Sequence, residues 1–286
     1  MRSLPAGAAI VCMLLVLAGC ADPAGAPSST PGAAPTGTTL AARPGATPVK
    51  QRDAHLSGRQ LNLAVYYLRS FGGRRYLAPE WHPVPYTRAV ATAAVGELLA
   101  GEPACPGSRR PFPAGARLGG IDVDAGTATV DLSGEALPGG TAGRWRLQAL
   151  VHTLAQFPTV RRVKVEREGR AVAGPLTRDR AIPLAPIAQS EPAAGTLVKG
   201  DRLVVKGEAS VNEGTVSLRL RDDRGQVMAQ GYATAAEGAP GRGEFSGALT
   251  FTPPAASHSW TVEAFEVSAE DGAIVYSVKL PVWVGR

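Results

Sequence analysis

Residues 121–135 read IDVDAGTATVDLSGE, and the fold of the first half of the chain turns on whether they form a ligand loop or a turn between strands. Asp122, Asp124, Asp131, Ser133 and Glu135 gather oxygen ligands in a short span, and Asp122-x-Asp124-x-Gly126 starts like a calcium loop. The loop pattern fails twice, because Gly126 comes one place early and Ser133 stands where a bidentate Glu belongs. Ile121, Val123, Val130 and Leu132 alternate with the acids. The residues therefore predict two strands with these four side chains on the core side, joined by Asp124-Ala125-Gly126 as a hairpin turn. Asp131 and Glu135 could be read as a glycosidase carboxylate pair, but a strand end entering the GEALPGG loop accounts for them better.

Working outward, RQLNLAVYYL places Leu61, Leu63, Val65 and Tyr67 on one face, the period of a half-buried strand, and a Gly-Gly turn follows. After the Pro-rich WHPVP, YTRAVATAAVGELLAG carries Val90, Ala94 and Leu98 four apart and predicts a helix stopped by Gly101 and Pro103. A second helix is predicted over about residues 142–157, with Leu147, Leu150, Val151 and Leu154 on its apolar stripe and Pro158 beyond it. VRRVKVERE supplies a further strand. The order β-α-β-β-α-β predicts an α+β domain with both helices on one face of an antiparallel sheet, over residues 58–181.

From about residue 183 the texture changes. Short alternating segments recur every dozen residues or so, with turns such as Asp222-Asp223-Arg224-Gly225, and no helical period survives. This is the pattern of an antiparallel β-sandwich over residues 183–286, with Trp260 and Trp283 as expected core fillers.

Residues 1–19 pair Arg2 with a short apolar run, the form of a secretory signal, and end in Leu17-Ala18-Gly19 before Cys20. That tetrapeptide resembles the bacterial lipobox, so Cys20 is the expected lipidation site and the anchor to the outer face of the cell membrane. Residues 20–57, rich in Ala, Pro, Gly, Ser and Thr, are expected to be a flexible tether. Cys12 leaves with the signal and Cys20 carries lipid, which makes Cys105 a lone free thiol, read here as an incidental loop residue. The net charge of +6, or +5 once Arg2 is removed, points in an exported chain to anionic lipid or wall polymer rather than nucleic acid. Arg161, Arg162, Lys164, Arg167 and Arg170 cluster, as a solvated strand face commonly does.

The sequence offers no recognisable catalytic constellation. His152 lies beside the Leu stripe of the second helix without a nucleophile or orienting acid at a recognisable spacing; GxSxG, HExxH, CxxC and phosphate-cradling loops are all missing. No metal or cofactor is expected.

At the level of motifs both halves are familiar. VYYL, YLAPE, LLAGEP, PAGARL leading into IDVDAGTATVDLS, ALVHTLAQFPTVRRVKV and EGR occur in the order found in the GerMN domain of bacterial sporulation and spore-germination proteins, which the first half resembles. Where that family usually continues YLAPE with an Arg and an aliphatic residue, Trp81-His82-Pro83 stands here. VVKGEASVNEGTVSLRLRDDRGQV and GEFSGALTF are similar to the immunoglobulin-like domain of bacterial spore germination. The resemblance implies a non-enzymatic lipoprotein of the extracytoplasmic face, binding envelope or sporulation proteins and cell-wall polymer. The alternative is a receptor for a small ligand such as a germinant or wall fragment, and a third reading is a wall hydrolase.

Overall fold

The computed structural model describes residues 59–133, 136 and 139–285. The signal, Cys20, the tether and Glu135 lie outside the described residues.

The opening stretch is a hairpin. Strand β4, Arg117–Asp124, pairs antiparallel with β5, Thr127–Ser133, and Asp124 sits opposite Thr127. Ala125 and Gly126 between them both have positive φ, 45° and 83°, as a two-residue type I′ turn requires. Gly126 is also needed for space: a Cβ there would lie 2.6 Å from the Arg161 guanidinium, and its carbonyl accepts the Arg161 and Arg162 N–H groups. The turn is thus clasped by the entry to β6, Arg162–Arg167.

Ala128, Val130 and Leu132 of β5 are fully buried. On β4 the expectation is corrected, since Ile121 is only half-buried and Val123 is 40% exposed. β4 is the edge of a four-stranded sheet that continues through β5 and β6, and its register shifts between Leu118 and Gly120, so little covers its far end.

Helix α2, Gly140–Leu154, carries the chain from β5 to β6, which pair in parallel. Its buried stripe holds Leu150, Val151 and Leu154, as the spacing predicts, but also Gln148, His152 and Thr153. Strand β7, Arg170–Leu176, returns antiparallel through Glu168 and Gly169.

A second small sheet is ordered β2-β1-β3. Strand β1, Gln60–Phe71, alternates as expected, with Leu63, Val65 and Tyr67 buried. It pairs along its length with β2, Arg74–Pro85, around Gly72-Gly73. β3 is the short strand Ser108–Arg109. Helix α1, Val90–Ala100, buries Ala94, Val95, Leu98 and Leu99 and packs on β1, β4 and α2. The α+β class holds, with β5 and β6 paired in parallel and with β2, β3 and β7 added to the expected order.

The second half is a sandwich. One sheet is β13-β10-β8, built from Gly243–Thr250, Arg202–Ala209 and Ile187–Glu191. The other is β12-β11-β14-β15-β9, from Val227–Thr234, Thr215–Arg221, His258–Val267, Ile274–Gly285 and Leu197–Lys199. Leu203, Val205, Leu218, Leu220, Val262 and Leu280 meet between them in one apolar core. Trp260 is buried there, edge-on to Phe251 at 5.6 Å. Trp283 is not a core filler: it is 48% exposed, because strand parity puts its neighbours Val282 and Val284 inside.

The α+β module and the sandwich belong to one compact unit. Leu77 of β2 donates to Pro183 and accepts from Ala185 in the connecting segment, and the Phe71 and Tyr76 rings pack on Tyr276. The seam also buries charge. Arg69 and Glu80 are 4% and 3% exposed; Glu80 Oε2 accepts the Ala104 and Cys105 N–H groups at 2.6 and 3.1 Å, and Arg69 Nε donates to Ser108 Oγ.

Candidate functional site

The structure separates the residues that the sequence brings together. Asp122 and Asp124 are exposed on the edge strand β4. Asp131 is half-buried on β5 beside Gly119, where a Cβ would lie 3.0 Å from its Oδ2, and Ser133 is half-buried at the strand end. Among the described residues no group of three or more His, Cys, Asp or Glu side chains could hold a metal ion.

Cys105 is a structural residue of the seam rather than an incidental one. It is 7% exposed, joins the sandwich core, and its thiol is pushed up to about 12, by burial first and by Glu80 second. A thiol held protonated is a poor nucleophile. His152 is also buried, and burial with the nearby Arg178 holds its imidazole down at about 4, so it is neutral at pH 7. Of the basic run, Lys164 is paired with Glu166 at 2.6 Å, and Arg161 donates to the Ala125 carbonyl in the hairpin turn.

The most distinctive surface is the outer face of the five-stranded sheet. Strand registers line up Tyr232, Ser217, Phe265 and Ser277 in one row, and Gln230, Arg219, Glu263 and Lys279 in the next. Further along lie Trp283 and, beside it on β9, Leu197. Glu263 is 1% exposed although it points away from the core. Arg219 Nε approaches it to 2.6 Å, with Arg221 and Lys279 at 3.8 Å, and Arg219 also lies over the Phe265 ring at 4.3 Å. Three cations around one carboxylate leave this patch positive. Tyr232 at 73% exposure, with Trp283 and Leu197 at 48%, flank it with apolar surface open to solvent. Aromatic and Arg side chains together are the composition of protein-binding hot spots. Alternation in the sequence signals that these side chains point outward; it carries no information on which rows they share.

The fold is that of an α+β module followed by a β-sandwich. Residues 64–173 match the family described as "Sporulation and spore germination", and residues 187–273 match the "Immunoglobulin-like domain of bacterial spore germination". The chain thus carries a sporulation and spore-germination domain followed by the immunoglobulin-like domain of bacterial spore germination. Among solved structures, it is similar to the first GerMN domain of the sporulation protein GerM from Bacillus subtilis, at 24% identity over 39% of this chain and 86% of that one, with a TM-score of 0.34. It is also similar to the tandem GerMN domains of that protein, at 19% identity over 61% of this chain and 59% of that one, with a TM-score of 0.36. Among curated proteins none matches.

Proposed function

We propose that this chain is a non-enzymatic interaction module of sporulation, spore germination or envelope signalling, lipid-anchored through Cys20 on the extracytoplasmic face of the membrane. Its work is to bind an envelope or sporulation protein. The observation that carries the reading is the open face of the five-stranded sheet, where Tyr232 and Trp283 stand exposed around a positive patch that the fold leaves uncovered. A partner with an acidic, partly apolar surface would complement it, the charge steering encounter and the aromatics supplying buried area.

The anchor follows from the lipobox, and its test is Cys20→Ala, which should release the chain from membranes; a variant that stays membrane-bound contradicts it. Crosslinking in intact cells should recover one specific protein partner, and recovery that is unchanged when Tyr232 and Trp283 are replaced by Ala contradicts the assigned face. The purified chain should not degrade cell wall; cleavage that is lost in Asp131→Asn or Glu135→Gln would make it a hydrolase.

A further inference from the structure

A cleft of about 410 Å³ opens at the seam, walled by β1 and α2 on one side and by the sandwich on the other. Tyr66, His152, Arg178, Glu208 and Arg242 line it, with Trp81 as an apolar wall. A wider cleft of about 690 Å³ adjoins it and shares His152 and Arg178. His152 is 4% exposed and its Nε2, shielded from solvent, has no hydrogen-bond partner among the described residues. Native structures seldom leave such a group unsatisfied, and strain, a function, or a bound water or ion accounts for those they do.

The two arginines are the second observation. Arg178 donates to the Ala155 carbonyl and Arg242 to the Ala185 carbonyl, and neither makes an ion pair with a carboxylate among the described residues. Each guanidinium carries five N–H donors, so donors are left over in both. Glu208 is the one acid on the cleft wall, and two guanidiniums against one carboxylate leave a positive surplus there. Tyr66 lines the same cleft, and its hydroxyl lies in the combined field of Arg178, Glu208 and Arg242, which come from separate segments. The volume suits a small molecule, and arginine forks are the usual protein recognition of carboxylate and phosphate.

We infer that this cleft binds a small oxyanion, a carboxylate or a phosphate, held by Arg178 and Arg242 over a floor made by Tyr66 and His152. Because its walls come from both domains, the bound anion fastens the α+β module to the sandwich. The site stands apart from the open sheet face, and its test reads ligand binding rather than partner capture, so either can fail without the other.

The test is calorimetric titration of the full-length chain with inorganic phosphate and, separately, with succinate. At least one probe should bind saturably below about 10 mM. Phosphate alone would assign a phosphate ligand, and succinate alone a carboxylate. Arg178→Gln and Arg242→Gln should each weaken that probe by about tenfold or more, as loss of a charge-assisted hydrogen bond does. Glu208→Gln should tighten it, an effect that a purely structural role would not produce. Absence of saturable binding by either probe, or affinity unchanged in either arginine variant, overturns the inference. Where an arginine variant does not fold, Glu208→Gln decides, and unchanged affinity there overturns it equally.

Discussion

Two buried carboxylates sit in contrasting surroundings. Glu80 in the seam is 3% exposed and Glu263 on the outer sheet face is 1% exposed, yet they are held by different means. One oxygen of Glu80 takes two backbone N–H groups, while Arg69 stands 3.7 Å from the other. Glu263 is surrounded instead by the side chains of Arg219, Arg221 and Lys279. An acid held by backbone pins a loop to a strand and leaves little for a partner to read. An acid held by surplus cations arranges positive charge on a surface. The first arrangement builds the seam, and the second prepares a face.

The sharpest way to break this contrast is Glu80→Ala, which strips the Ala104 and Cys105 N–H groups and Arg69 of their partner. It should cost about 3–5 kcal/mol in urea unfolding, as removal of one member of a buried pair does. A cost near zero would mean that Glu80 does not hold the seam.

The pH dependence of His152 comes next. Its imidazole titrates at about 4 in the fold against 6.5 ordinarily, so the unfolded chain takes up the proton first as pH falls. Its contribution to stability is therefore complete above about pH 6.5 and falls by about 3 kcal/mol towards pH 4. Unfolding midpoints measured across that window should flatten in His152→Phe, and an unchanged slope contradicts the assignment.

Glu263→Gln should cost about 2 kcal/mol by exposing the three cations to one another. Added salt should recover part of that loss but little of the Glu80→Ala loss, because the Glu263 cations are the better exposed to screening. Gly126→Ala is smaller, about 1–2 kcal/mol, for a strained positive φ. Smallest of all, Tyr232→Ala and Trp283→Ala should each change stability by no more than about 0.5 kcal/mol. Melting curves that moved as far as those of Glu80→Ala would make the open face structural.

Legibility followed the physics of each element. β1, α2 and the β4–β5 hairpin could be read because their sequence periods are intact and the two hairpin turns carry Gly. β2 was hidden, since its inward positions include Glu80 and His82 rather than apolar residues, and Pro79 and Pro83 interrupt it. As an edge strand it tolerates both prolines. β7 was hidden for the opposite reason: it is exposed along most of its length, Val172 included, and shows no buried stripe. Alternation with the acids points Val123 to the core and composition points Trp283 there, but an uncovered edge and strand parity put them outside. Neither the Glu263 cluster nor the seam cleft was legible, because both join residues far apart in the chain through registers and domain contacts that no local pattern encodes.

The central claim, that the outer face of the five-stranded sheet engages a protein partner, is tested most directly by photo-crosslinking in cells with a reactive residue at Tyr232 and, as a control, at Val172 of the α+β module. A single protein captured from position 232 and not from 172 is the predicted result. Equal capture from both positions, or none from 232 while the chain remains folded and anchored, would contradict it.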